Sequence, residues 1–164
     1  MGTQPQTADR SQPVNRLEDF NQQRSHLFAI AYRMLGSVMD AEDMVQETFL
    51  RWQRASESVI RTPKAYLTTV ITRLCIDYLR SARVQREQYI GPWLPEPIVT
   101  SQGADPIALA ELSESLSMAF LVLLERLSPL ERAVFLLREA FGYSYEEIGQ
   151  IVEKTPTNCR QIAW

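Results

Sequence analysis

The sequence has few of the residues from which catalytic and metal sites are usually built. Its 164 residues include two cysteines, Cys75 and Cys159, which lie far apart without CxxC spacing, and one histidine, His26. This pattern favours two reduced, helix-packed thiols over zinc ligands or a disulfide. Catalysis by a Ser-His or Cys-His pair would depend on His26, whose amphipathic surroundings, RSHLFAIAYRML, favour a surface or packing role. We therefore expect no enzyme activity, no metal and no cofactor.

Long apolar runs are also missing from the sequence. No stretch approaches the roughly 18 apolar residues that a membrane-spanning helix needs. The first residues, MGTQPQTADRSQPVNR, lack the apolar core of a signal peptide and are typical of a disordered leader, which we place at residues 1–16. These absences predict a cytoplasmic protein without membrane contact.

The charges are distributed unevenly along the chain. The overall net charge is −3, but residues 51–89 hold eight basic against three acidic residues, whereas residues 17–50 and 111–164 are both acidic. A basic middle block is a candidate phosphate-binding surface, and acidic faces on either side suggest a protein partner.

Helical periodicity dominates the rest of the sequence, and no convincing alternating strand pattern is present. One helix is predicted to end at Gly36, and a second amphipathic run, DAEDMVQETFLRW, is predicted to begin with Asp40 as its N-cap. Ser144 and Glu147 have the spacing of a capping box. Three further helices are predicted where a hydroxyl residue precedes proline, at Thr62-Pro63, Ser128-Pro129 and Thr155-Pro156.

A change of composition divides the chain in two. Residues 88–108 hold four of the nine prolines and two of the six glycines, which excludes a regular helix there. The predicted fold is therefore all-α, with two small helical domains at residues 17–87 and 109–164 joined by a proline-rich linker.

The C-terminal stretch has the spacing of a helix-turn-helix. The short helix YEEIGQIV is followed by a tight turn, Glu153-Lys154-Thr155, and by a helix that opens TPTNCRQI. In this motif the second helix enters the DNA major groove by its N-terminal residues. The residues placed to face bases and phosphates are Thr157, Asn158, Arg160 and Gln161. An ordinary helical hairpin is the alternative for this segment alone.

Taken in order, these segments resemble the extracytoplasmic-function (ECF) sigma factors of bacterial RNA polymerase. DAEDMVQETFLRW is similar to the family's polymerase-docking helix, and PKAYLTTVITRLCIDYLRSAR to its helix that melts and reads the −10 promoter element. YIGPWLPEP is similar to the linker of the SigJ-type subgroup, which normally has a C-terminal SnoaL-like domain; we expect none within these 164 residues. The resemblance covers about residues 17–164.

The resemblance implies roles for residues in both domains. The first domain would contact the β′ clamp helices of core polymerase and the −10 element, while the second would contact the −35 element and the β flap. The implied polymerase-binding residues are Asp43, Gln46, Glu47 and Leu50. The implied −10 residues are Arg61, Lys64, Tyr66, Arg73, Arg80 and Arg83.

The resemblance also raises the question of how much this chain does alone. In the SigJ-type pattern the recognition helix continues beyond the point that Trp164 occupies here, so the −35 contact is expected to be incomplete. An anti-sigma factor, or the missing SnoaL-like domain, is a possible regulatory partner. Two alternatives to initiation stay open: a truncated form that binds core polymerase without initiating, and a stand-alone helix-turn-helix regulator.

Overall fold

A computed structural model of the chain describes residues 15–56, 60, 62–86 and 124–163. These residues form α1 (Arg16–Leu35), α2 (Val38–Arg54), α3 (Pro63–Arg86), α4 (Pro129–Phe135), α5 (Tyr145–Val152) and α6 (Pro156–Ile162), with a π-helical segment, Leu136–Ala140, after α4. The predicted all-α fold is confirmed. The linker predicted at 88–108 lies outside the described residues, as does the second predicted domain before a helical turn at 124–126.

Helices α1, α2 and α3 pack together as a three-helix unit. Trp52 of α2 is fully buried and its indole Nε1 donates to the Arg16 carbonyl at 2.7 Å. The Arg16 guanidinium in turn donates to the carbonyls of Trp52, Gln53 and Ala55 at the end of α2. The Trp52 carbonyl also accepts from the Ala55 amide, and a cation at this helix end interacts favourably with the helix dipole. The first domain therefore includes Arg16, which had been predicted to belong to the leader.

The start of α2 differs from the sequence prediction. Asp40 had been predicted as the N-cap, but Ser37 holds that position with extended backbone angles, and its hydroxyl accepts a hydrogen bond from the Asp40 amide. Gly36, in the left-handed conformation at φ 72°, ends α1 as predicted. Only two residues, Gly36 and Ser37, separate the two helices, so this Gly-Ser pair is the stronger local signal, and Asp40 is an acid in the first turn.

Helix α4 starts where the sequence predicts a helix at Ser128-Pro129, and Ser128 and Glu131 form a capping box there. At Leu136 this helix changes to a π-helical turn, with the Phe141 amide donating to the Leu136 carbonyl at 3.2 Å. This turn buries both Leu136 and Leu137. It is followed by the predicted capping box at Ser144 and Glu147, which starts α5.

The two units pack against each other. Helix α3 contacts both α4 and α5, and α1 contacts the π-helical segment. Arg132 of α4 is buried and donates to the carbonyls of Met34 in α1 and Leu124 in the turn before α4. The described residues of the two predicted domains therefore share one continuous hydrophobic core.

Gly149 provides a test of how closely α5 and α6 approach. A Cβ at this position would lie 2.6 Å from the backbone oxygen of Lys154, in the turn between the helices. Gly149→Ala is expected to lower the free energy of unfolding by about 2 kcal/mol, because backbone must move to make room. Gly142→Ala is the control, since its Cβ meets nothing within 4 Å and only its φ of 69° opposes a side chain. Urea unfolding should show a loss of about 1 kcal/mol for that control; equal losses would contradict the packing described for Gly149.

Candidate nucleic-acid and protein interfaces

The outer face of α2 carries the four residues predicted to bind polymerase. Asp43, Gln46 and Leu50 are exposed. Glu47 is half-exposed, and its carboxylate forms an ion pair with the Arg51 guanidinium at 2.9 Å. The opposite face is buried through Ala41, Val45, Thr48 and Trp52. The predicted division of α2 into a buried and an outward face is thus confirmed, while the polymerase contact itself stays a prediction.

Met39 extends this outward face, and sequence reasoning missed it. Its side chain is 75% exposed, the highest value among the large exposed hydrophobic residues of the described chain. At 100° per residue, Met39 shares one stripe of α2 with Asp43, Gln46 and Leu50. Helical period alone could have identified it, had the helix been started at Val38. The stripe combines two apolar ends with polar groups between them, which suits a protein interface better than free solvent.

The residues predicted to contact the −10 element do not form one surface. Lys64 and Arg80 are exposed, whereas Tyr66 is half-buried with its ring centroid 5.6 Å from that of Trp52. Tyr66 therefore packs against the core of the first unit, which restricts its access to a base. Arg61 and the side chain of Arg83 lie outside the described residues.

Arg73 was predicted to face DNA, but it contacts the second unit instead. Its Nε donates to the Ile151 carbonyl at 2.8 Å and its Nη2 to the Gln150 carbonyl at 3.2 Å, both near the end of α5. Its Nη1 lies 3.1 Å from the Glu153 carboxylate. The guanidinium thus satisfies carbonyls at a helix C-terminus, where a cation is favourable. Periodicity within α3 could not show this, because the contact joins residues 78 positions apart.

The helix-turn-helix of α5 and α6 has the predicted organisation. The Thr155 hydroxyl caps α6 by accepting from the Asn158 amide, and Cys159 is buried between the helices. The four residues predicted to contact DNA, Thr157, Asn158, Arg160 and Gln161, are all exposed. The geometry leaves this side of α6 open to a ligand.

Tyr145 organises the basic groups beside α6, and sequence reasoning did not identify it. The guanidinium of Arg138 lies 4.9 Å and that of Arg160 5.6 Å from its ring centroid. Arg160 also lies 3.6 Å from the Glu146 carboxylate. Stacking and an ion pair hold Arg160 on the exposed side of the motif, where its donors remain available.

His26, for which packing was favoured over catalysis, is half-buried between the two units. Its Nε2 lies 2.8 Å from the Tyr143 hydroxyl, which is 3.3 Å from the Thr68 hydroxyl. Burial, and then the positive charge of Lys64, hold the pKa of His26 below its ordinary value. Burial raises the pKa of the Tyr143 hydroxyl.

Both thiols, Cys75 and Cys159, are buried, and burial raises the pKa of each, which disfavours the reactive thiolate. Within the described ranges no group of three His, Cys, Asp or Glu residues could hold a metal ion. None of the described helices is both long and apolar enough to cross a membrane.

Each of the two units matches the model of a known protein family. The profile of Sigma-70 region 2 matches residues 20–84, and that of Sigma-70, region 4 matches residues 117–162. The first range includes α2 and most of α3, and the second includes the helix-turn-helix.

Two curated relatives come from Mycobacterium tuberculosis. The ECF RNA polymerase sigma factor SigJ is 44% identical over 148 residues, which cover 90% of this chain and 47% of the relative. The probable ECF RNA polymerase sigma factor SigI is 39% identical over 142 residues, which cover 85% and 49%. The chain thus spans about half the length of these relatives.

Two solved structures share the fold. The crystal structure of the Mycobacterium tuberculosis extracytoplasmic function sigma factor SigJ matches with a TM-score of 0.64 and 36% identity, over 90% of this chain and 50% of that one. The sigma factor RpoE from Bartonella quintana, solved with the anti-sigma factor NepR, has a TM-score of 0.64 at 19% identity, covering 90% and 88%, a likeness of fold alone. With regions 2 and 4 in this order and relatives of the SigJ kind, the chain belongs to the extracytoplasmic-function sigma factors of the sigma-70 family.

Proposed function

We propose that this chain supplies the promoter-recognition part of a cytoplasmic sigma factor. Region 2 docks on the β′ clamp helices of core RNA polymerase and melts the −10 element, while region 4 reads the −35 element beside the β flap. The observation that carries this proposal is the exposed stripe on α2, together with an open helix-turn-helix in the same chain. A stand-alone DNA-binding module would not need the exposed stripe on α2.

The docking contact is assigned to Asp43, Gln46, Glu47 and Leu50. These groups project from a helix whose other face is anchored by fully buried Trp52, so the stripe is held rigidly. An interface of this kind loses little side-chain entropy on binding, because the supporting helix is already ordered. To bind polymerase, Glu47 must break its ion pair with Arg51. This costs little free energy, because the pair is exposed to solvent.

The promoter contacts are assigned to two separate surfaces. Lys64 and Arg80 of α3 are exposed and positively charged, and they are suited to phosphates of an opened strand. Thr157, Asn158, Arg160 and Gln161 of α6 are suited to duplex DNA in the major groove. No covalent chemistry is assigned to the chain, because binding of the separated strand supplies the free energy for melting.

The most specific prediction for the −35 contact concerns Arg160. Arg160→Gln in the assembled holoenzyme should weaken binding to a −35 duplex by about 1–3 kcal/mol, roughly 5- to 150-fold, because one charge-assisted contact is lost. Fluorescence anisotropy with labelled duplex would measure this. Arg126→Gln is the control, since Arg126 is an exposed arginine of the same unit outside the helix-turn-helix. If the Arg160 variant and the unmodified chain bound the −35 duplex with equal affinity, Arg160 would not contact the DNA.

The experiment that tests the whole proposal measures two affinities of the unmodified chain. One is for core polymerase, and the other is for duplex promoter DNA without polymerase. We expect tight binding to core polymerase and weak binding to duplex alone. A stand-alone helix-turn-helix regulator would show the reverse, with tight duplex binding and no affinity for core polymerase.

A further inference from the structure

The face of α3 that holds Arg73 is covered by the helix-turn-helix unit. Three donor groups of the Arg73 guanidinium are directed to the carbonyls of Gln150 and Ile151 and to the Glu153 carboxylate. Glu153 takes the left-handed conformation at φ 56°, which is uncommon outside glycine. These contacts engage all three guanidinium nitrogens of Arg73, although its side chain stays 40% exposed. Separation of the two units would free these donors for a phosphate.

A second contact between the units lies at the other end of α5. His26 of α1, Thr68 of α3 and Tyr143 of the loop before α5 form a chain of hydrogen bonds, with distances of 2.8 and 3.3 Å. The Phe141 ring lies edge-on to the imidazole, with centroids 5.3 Å apart. One tyrosine hydroxyl thus joins the three elements, and it is half-buried where they meet. We call His26, Thr68 and Tyr143 the latch.

The surroundings of the latch oppose a charged imidazole. From α3, Lys64 places its ammonium 6.0 Å from the Tyr143 ring centroid. From the π-helical segment, Arg138 donates to the Tyr143 carbonyl at 3.1 Å. From α1 itself, Arg33 lies 5.2 Å from the centroid of the Phe141 ring. The carboxylate on this side is that of Glu147, which is exposed and bound to the Ser144 amide. The described charges that face the latch are therefore mostly positive.

We propose that the latch is a proton-sensitive device that holds the two units closed, and that protonation of His26 opens them and releases Arg73. A protonated imidazole would be a second cation beside Lys64 in a half-buried position, and separation of the units would return it to water. Only the consequence for DNA rests on the proposed function; the opening itself is a property of the chain alone.

The direction of the pH effect follows from linkage. Burial and Lys64 lower the pKa of His26 in the closed form, whereas in an open form it would return to about 6.5. The closed form then binds fewer protons than the open form. Closure is fully favoured above pH of about 6.5 and weakens as the pH falls below it. The ratio of open to closed molecules rises by up to about tenfold per pH unit until the closed form is itself protonated.

The test measures the distance between the units at two pH values. Spin labels on Gln22→Cys of α1 and Glu139→Cys of the π-helical segment occupy exposed positions, and both natural cysteines are buried. The measurement is made in the full chain and in an Arg73→Gln background, which removes the Arg73 contact and weakens closure, while the Arg132–Met34 hydrogen bond and the shared core remain. Labels on Gln22→Cys and Arg54→Cys, both within the first unit, report any general unfolding.

The expected result is a longer interdomain distance at pH 5.5 than at pH 7.5 in the Arg73→Gln background, with the distance within the first unit unchanged. His26→Gln retains a neutral hydrogen-bonding group and should abolish this pH dependence. An interdomain distance that does not respond to pH, or one that responds equally in the His26→Gln variant, would overturn the proposal. Neither polymerase nor DNA is present, so failure here is separate from failure of the proposed function.

A second experiment measures the pKa of His26 directly. His26 is the only histidine in the chain, so its imidazole resonances can be followed by NMR without ambiguity. Its pKa should lie below about 6.5 in the unmodified chain and rise toward that value in the Tyr143→Ala variant. The same pKa in both chains would show that closure does not act on His26.

Discussion

Replacement of Asp43, Gln46 and Glu47 together by alanine is expected to weaken binding to core RNA polymerase at least about 100-fold, which would abolish a pull-down. The three side chains lie on one face of α2, and polar groups at the centre of an interface each contribute about 1 kcal/mol or more. Because none of them is buried and alanine favours helices, circular dichroism should show unchanged helical content.

A matched control lies on α1. Glu18, Asn21 and Gln22 are exposed and have the same spacing of three and four residues along a helix. Their replacement by alanine changes a similar amount of polar surface on a different face. If this control triple lost core binding as strongly as the α2 triple, or if the α2 triple bound normally, the docking stripe would be wrongly placed.

Arg132→Met is expected to cost about 3 kcal/mol of unfolding free energy or more. The buried guanidinium donates two hydrogen bonds to the Leu124 carbonyl, at 3.0 and 2.7 Å, and one to the Met34 carbonyl at 2.8 Å. Met34 is in the last turn of α1, where its carbonyl lacks a partner within the helix. Methionine fills much of the volume but leaves buried carbonyls without these charged donors, at about 1–3 kcal/mol each.

Arg138→Met is the control for this prediction. Arg138 is six residues further along the same continuous helical stretch, is exposed, and donates one hydrogen bond, to the Tyr143 carbonyl. Its replacement should cost less than about 1 kcal/mol in the same urea titration. Similar losses for the two arginines would mean that Arg132 does not join the units as described.

Features encoded by a few adjacent residues could be predicted from the sequence. Ser128, Ser144 and Thr155 cap the helices that the sequence assigns to them, because a hydroxyl followed by proline or by a glutamate three residues on satisfies helix amides locally. Asp40 was a wrong choice of cap, since Ser37 has the required extended backbone and also accepts from an amide. Capping propensity alone cannot decide which of two good capping residues three positions apart is the N-cap.

Features that depend on contacts between distant parts of the chain could not be predicted. Arg73 was assigned to DNA by the resemblance of α3 to the family's −10 helix, yet its donors are used by the end of α5. Tyr66 was assigned to a base but packs on Trp52. The π-helical turn at Leu136 coincides with the burial of two adjacent leucines, and a periodic pattern does not report it. In each case the deciding partner lies far away in sequence.

Run-off transcription tests the central claim most directly. Core RNA polymerase, with and without this chain, is presented with a library of promoter fragments, and the transcripts are sequenced. The account predicts transcripts that appear only when the chain is added, that start downstream of a shared pair of −35 and −10 sequences, and that vanish with the triple variant of Asp43, Gln46 and Glu47. Transcripts no more frequent than with core polymerase alone, while the chain still binds core polymerase, would contradict it.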